Sequence, residues 1–340
     1  MNKLASSIRD WAAEVIGAWD RFWFTPTDPA TLGLIRILAG AMLFYTHLVW
    51  SLRLEDFFTE HGWLSPQAIE LLQRDSYAWS YFWLIDSPTV LWIVHVAALI
   101  VFAMLTLGLF TRVTSILAFL AAASYIGRVP AALFGLDQIN LMLAMYLMVG
   151  PSGAAFSLDR WWRQRRAGQR LPAVEPSVGA NIAIRLMQVH MCIIYLFAGM
   201  AKLSGQAWWD GTAMWLAIGN FEYQSIDITW LANWPRLIDF MTHLTIFWEL
   251  SYCALVWPRL TRPIVLALAV PLHMGIALFL GMMTFGLVML IGNLAFVPPY
   301  VIRAIISRRG AGQGSKSEAA SKPKMIVREA HPRSSQTRHG

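Results

Sequence analysis

Residues 181–203 read NIAIRLMQVHMCIIYLFAGMAKL, and this stretch decides what kind of molecule the chain forms. Its length matches the roughly 20 predominantly apolar residues that a helix needs to cross the hydrocarbon core of a bilayer. Its polar residues are ordered. Arg185, Gln188, Cys192, Tyr195, Gly199 and Lys202 follow one another at spacings of 3, 4, 3, 4 and 3, which puts them on one helical face. Lipid offers such a stripe no partners, so it faces protein or a cavity. Two readings stay open. Either Arg185 and Lys202 snorkel to opposite interfaces while the middle packs against neighbours, or the stripe lines a site.

Comparable apolar runs recur along the chain at 31–52, 88–110, 114–128, 131–149, 239–257, 263–280 and 284–305. The expected fold is therefore all-α: a polytopic membrane helical bundle of about eight transmembrane helices. Composition agrees. Hydrophobic residues make up 57% and charged ones 14%, against about 25% charged in ordinary soluble domains. Long apolar runs also argue against an outer-membrane barrel, whose strands alternate. Residues 4–24, with Trp11, Trp19, Phe22, Trp23 and Phe24, form an amphipathic stretch that lies on the membrane surface until Pro26 and Pro29 break it. Residues 66–85 are a second interfacial candidate. No cleaved signal peptide is read at the N-terminus.

The charge of +7 sits between apolar runs and in the tail, which is a topology pattern and not a nucleic-acid patch. With the N-terminus inside, Arg112, Arg160, Arg163, Arg165, Arg166, Arg170, Arg259, Arg262, Arg303, Arg308 and Arg309 all fall inside. The outer connections, 53–87 and 204–238, hold only Arg53, Arg74 and Arg236. Both termini are thus expected in the cytoplasm. The chain divides into a cytoplasmic amphipathic segment at 1–30, a transmembrane domain at 31–305 and a disordered basic cytoplasmic tail at 306–340.

Ionisable residues inside spanning helices are costly and mark candidate sites. Thr242, Thr245, Glu249 and Tyr252 share a face, and Glu249 is too deep to snorkel, so it is paired or protonated; Arg36 or Arg185 is the expected partner in a structural ion pair. Arg36, Gly40, Leu43 and His47 repeat the same spacing. His273 follows Pro271, and Asn293 lies in the last run. Under the inferred topology His47, Lys202, His273, Asp137, Gln138 and His243 all fall in the outer half of the bilayer. One buried His is usually a satisfied core residue, whereas several at one depth beside a Lys point to a site. Phosphate-loop, dinucleotide, zinc and serine-elbow signatures are missing. Cys192 and Cys253 lie in apolar runs and suit packed thiols, and no metal is expected.

The strings between these runs carry a resemblance. Gly62-Trp63-Leu64-Ser65, Leu107-Gly108-Leu109-Phe110-Thr111-Arg112, Ser157-Leu158-Asp159-Arg160-Trp161, Ala198-Gly199-Met200-Ala201-Lys202-Leu203, Trp208-Trp209-Asp210-Gly211, His273-Met274-Gly275 and Phe296-Val297-Pro298-Pro299 occur in this order. Over roughly residues 20–305 the chain resembles the HTTM (horizontally transferred transmembrane) family, the transmembrane domain shared by vitamin K-dependent gamma-glutamyl carboxylase and a large set of bacterial proteins. The resemblance implies a multi-pass protein of the bacterial inner membrane that uses reduced vitamin K or menaquinol, with carboxylase-like (carbon-carbon lyase or epoxidase) activity. It implies that Lys202, in the Ala-Gly-x-x-Lys-Leu segment, is the catalytic base, with His273 beside it. His47, Asp137, Gln138, Asn140, Tyr195, Trp208, Trp209 and His243 would line the substrate pocket. A Lys desolvated at a membrane edge loses part of its preference for charge and can act as a neutral base. Where the carboxylase carries an Asn-His pair, this chain has Asp137, Gln138, Ile139 and Asn140. Its large non-membrane domain, which holds the peptide substrate, has no counterpart here, so a periplasmic protein or subunit is the expected partner, alongside membrane lipid. The alternative is a non-catalytic lipid or small-molecule carrier, or a membrane subunit of a larger complex.

Overall fold

A computed structural model of the chain describes residues 2–63, 65–73, 78–168, 172 and 174–306. Fourteen α-helices follow in chain order: α1 (Asn2–Phe24), α2 (Ala30–Trp50), α3 (Leu54–Phe58), α4 (Pro66–Leu72), α5 (Pro88–Leu107), α6 (Thr111–Arg128), α7 (Gly135–Val149), α8 (Leu158–Arg166), α9 (Val178–Leu203), α10 (Gln206–Trp209), α11 (Ala213–Ile218), α12 (Pro235–Leu255), α13 (Arg262–Phe279) and α14 (Met283–Asn293). Among the described residues the only β pairing is one bridge between Thr27 and Ser177. Residues 1–299 form one compact unit; of the second, Tyr300–Gly340, the described part is helical as far as Ile306. The basic tail beyond 306, Arg74 and Arg170 lie outside the described residues.

Helix ends follow the local chemistry. Ser157 and Ser177 accept from the backbone N–H of Arg160 and Ala180, capping α8 and α9. Proline opens α5 and α12, where the missing N–H costs nothing. Gly108 stops α5 in the left-handed conformation, φ 73°.

Four segments are long and apolar enough to cross a membrane: Ala30–Phe58, α5, α9 and α13. Length and apolarity therefore support four of the expected spans; α7 is apolar but has only 15 residues. The expected continuous span at 284–305 is broken. Helix α14 ends at Asn293, a 3-10 turn runs to Phe296, and helix resumes only at Pro299, because Pro298 and Pro299 supply no N–H to a helical ladder. The interfacial helix expected over 66–85 is likewise not one element, since α4 ends at Leu72 and a 3-10 turn occupies Tyr81–Leu84.

The packed interior has two parts. One gathers Tyr195, Trp248, Tyr252, Val265 and Val288 from α9 and α12–α14. The other gathers Leu91, Phe102, Ala118 and Tyr125 from α5 and α6. Helices α2 and α7 serve as a shared wall, since Met42 and Leu143 belong to the first part and Leu43 and Ala144 to the second. On α5 and α13 the outward faces remain apolar: Ile93, Ile100 and Ile264 are each more than half exposed. A helix apolar all round is suited to lipid and not to water.

A clasp joins the α5–α6 turn to the segment before and within α8. The Asp159 carboxylate accepts from the backbone N–H of Phe110 and Thr111 and from the Thr111 hydroxyl. Arg36, fully buried on α2, donates to the carbonyls of Ser152, Ala155 and Phe156 at 3.0, 3.4 and 2.6 Å. Gly108 lies against that guanidinium, and a Cβ there would come within 2.7 Å of Arg36 Nη1. Phe110 and Phe156 take positive φ of 46° and 52°, a strained state for side chains of this size.

Candidate functional site

Helix α9 sets its polar stripe against protein along its whole length. At one end Asn181 donates to the carbonyls of Phe22 and Trp23, and Arg185 donates to Phe22 O and Gln188 Oε1. The Arg185 guanidinium lies 4.3 Å from the Phe22 ring centroid. Arg185 therefore caps the C-terminus of α1 and does not snorkel. Gln188 donates to Ala295 O.

At the other end, Gly199 lets α12 approach: a Cβ at this position would meet Leu250 at 2.9 Å and Glu249 Cβ at 3.3 Å. One turn further on, Lys202 Nζ lies 2.9 Å from Glu249 Oε1 and 2.7 Å from Oε2. Hydrogen-bond geometry holds at Oε1, while Oε2 is held by charge alone. The Lys202 side chain is 24% exposed and that of Glu249 8%. The ring centroid of Trp208 lies 5.3 Å from Nζ, a cation–π approach. This pair corrects the expectation that Arg36 or Arg185 neutralises Glu249. Arg36 donates to backbone carbonyls and Arg185 to Phe22 O and the Gln188 side chain, and Glu249 meets Lys202 because Gly199 brings α9 and α12 close together.

About two turns from Lys202 along α9, or roughly 10 Å, lies a buried chain of hydrogen bonds. Tyr252 OH donates to Asn293 Oδ1 at 2.7 Å, Asn293 Nδ2 donates to Tyr195 OH at 2.8 Å, and Tyr195 OH lies 2.6 Å from His273 Nε2. The other ring nitrogen of His273, Nδ1, is buried without a partner. Four helices, α9 and α12–α14, thus converge on one polar core. Tyr252 and Asn293 had been legible only as polar positions on their helices; their partnership needs the fold.

The remaining candidates separate. His47 packs between Phe102 and Tyr125, with ring centroids 4.4 Å away in both cases, and its Nδ1 lies 2.7 Å from Leu43 O. It lines a cavity with room for about one water, together with Asp137, Asn140 and Tyr125. Asn140 Oδ1 is buried without a partner. His95, which drew no attention in the sequence, joins Ser51 Oγ at 2.7 Å to Tyr125 OH at 2.6 Å. A histidine in the otherwise apolar run 88–107 was the available signal. Lys202, Glu249 and His273 do not line this cavity, so the ionisable residues expected at one site fall into two clusters. Gln138 and His243 are exposed, and His243 pairs with Asp239 on its own helix. Trp209 is 60% exposed and donates to Leu203 O, bracing the end of α9. Among the described residues no three side chains gather as a metal site.

A helical membrane bundle with a partly exposed ion pair beside a buried polar core is thereby defined. A model of the HTTM domain matches residues 24–300, and the chain belongs to the HTTM family. No curated protein and no solved structure matches it.

Proposed function

We propose that this chain is a carboxylase-like membrane enzyme whose working pair is Lys202 and Glu249, acting on the acidic hydroxyl of a quinol such as menaquinol or reduced vitamin K. The observation that carries the reading is the pair itself: an ammonium and a carboxylate within 2.9 Å, with the lysine end partly open beside an indole face. Movement of one proton from Nζ to the carboxylate leaves a neutral amine, which takes the proton of an acidic hydroxyl placed beside it and becomes ammonium again, next to the oxygen it has stripped. A proton-transfer role of this kind is worth about 10²–10⁴ in rate.

The open end of the ion pair is what supports a quinol. Trp208 offers a flat ring and Lys202 a charge, while His273, with its Nδ1 buried and unpartnered, lies deeper in the core about two turns along α9. When bound, the quinol would supply the reducing equivalents for reaction with oxygen. Tyr195 fixes the His273 ring through Nε2, and Asn293 fixes Tyr195.

The same reading carries about eight spans, both termini in the cytoplasm and residence in a bacterial inner membrane. It is supported by the clasp, which ties the Arg112 turn to the arginine-rich α8 on one side of the bundle, as the charge rule requires.

Lys202→Ala in membranes supplied with reduced menaquinone tests the proposal. Oxygen-dependent quinol oxidation is expected to fall at least about a hundredfold; undiminished turnover removes Lys202 from the chemistry. A second reading, a non-catalytic carrier or membrane subunit with a periplasmic partner, draws on the internal satisfaction of Tyr195, Tyr252 and Asn293. Wild-type membranes without any quinol turnover would favour it.

A further inference from the structure

The clasp leaves a groove of about 470 Å³ between the α5–α6 turn and α8. Phe110 and Val113 form one rim, 66% and 57% exposed. Arg112, Arg163 and Arg166 supply three guanidinium groups, with Trp162 among them. The one carboxylate present, Asp159, already accepts from Phe110 and Thr111, so the groove carries an excess of positive charge. Each arginine keeps donors to spare. Arg112 gives one bond to Met148 O and Arg163 one to Asp159 O, while the Arg166 guanidinium lies 5.3 Å over the Trp162 ring. An arginine has five N–H donors in a fork that fits phosphate.

The geometry points to a binding site for the headgroup of an anionic glycerophospholipid, with the phosphate on Arg112, Arg163 and Arg166 and an acyl chain along Phe110 and Val113. Two features decide for a lipid. The apolar rim gives free phosphate nothing to cover, and a zwitterionic headgroup would bring a cation toward three arginines. Helix α8 suits the level of the headgroups, since Trp161 and Trp162 are half exposed on it and indoles concentrate there. None of these residues belongs to the Lys202 core, so the site is independent of the proposed chemistry.

The test uses the full-length protein, stripped of lipid in detergent, with binding followed by native mass spectrometry and by thermal stabilisation on titration with phosphatidylglycerol, phosphatidylcholine or inorganic phosphate. Phosphatidylglycerol is expected to bind at least about tenfold more tightly than phosphatidylcholine. At about fivefold per arginine near a surface, the triple variant Arg112→Gln/Arg163→Gln/Arg166→Gln should lose roughly a hundredfold. Arg165→Gln removes a charge from the same helix outside the groove and should cost less than about twofold. Arg163→Gln alone, at an exposed position, should cost about fivefold and covers the case in which the triple variant fails to fold. Equal binding of the two lipids, full stabilisation by inorganic phosphate alone, or equal losses in Arg165→Gln and Arg163→Gln would each overturn the proposal.

Discussion

The two buried polar clusters differ in how they handle charge. Around α9 and α12–α14, an ammonium and a carboxylate meet next to a tyrosine–asparagine–histidine chain. Around α2, α5 and α6, His47 and His95 are enclosed by aromatic rings and bonded to neutral groups, a carbonyl, a tyrosine and a serine. Both contain histidines within apolar helices, yet only the first brings opposite charges together. Depth in the membrane therefore does not define a site. The azimuth of each side chain does, and it is fixed by which helices glycines such as Gly199 allow to approach.

The contrast can be broken most sharply at the ion pair. Lys202→Met or Glu249→Leu alone leaves a poorly compensated charge and should cost about 3–5 kcal/mol, whereas the two together should recover most of that loss. Unfolding of the purified variants in mixed micelles measures it, and additive losses would show that the two groups do not act as a pair. Next in size is Tyr195→Phe, which strips a partner from both Asn293 and His273; a loss of about 1–3 kcal/mol is expected, with quinol oxidation falling as His273 loses its orientation. The second cluster should be more forgiving. His47→Leu exchanges an aromatic-packed ring for an apolar group of similar volume and should cost under about 1.5 kcal/mol, leaving quinol turnover within about twofold. Loss of turnover in this variant would reunite the clusters into one site.

The smallest effect is a pH slope outside the membrane. Partial burial works against the charge of Asp159, but hydrogen bonds from Thr111 and Phe110 outweigh it and hold the carboxylate below its ordinary value. A carboxylate lowered in the folded state stabilises above its unfolded value, about 3.9, and that contribution is lost as pH falls through the lower, folded value. Thermal melts should thus weaken on acidification below about pH 4, and Asp159→Asn should flatten this slope.

Much of this was open to reading from the residues. The face of α9 from Arg185 to Lys202 was visible in its spacing, and Arg185, Gln188, Tyr195 and Lys202 each found a hydrogen-bonding partner in the protein. What spacing could not supply was the partner. Lys202 meets a residue 47 positions away, and Arg36 and Arg185 looked like counterions because sequence displays charge while concealing carbonyls. His95 escaped because one histidine in an apolar run has no pattern to betray it, and the ladder break at Pro298 was outvoted by the apolar residues around it. Asp137 and Asn140 were legible as polar groups at the start of α7, but their shared cavity with His47 arises only when α2, α6 and α7 pack.

Arg36 sets a problem of timing for the ribosome and the insertion machinery. It enters the membrane within the first long apolar segment, but the carbonyls that receive its guanidinium belong to Ser152 and Phe156, 116 and 120 residues later. At about 5–20 residues per second that interval is on the order of ten seconds of synthesis. During it the guanidinium, in the second turn of α2, has no permanent acceptor in the chain and relies on water or headgroups near the interface. The packing of the first span is therefore completed only once the turn before α8 is made, so the membrane domain closes around its earliest charge instead of growing outward from a finished first span.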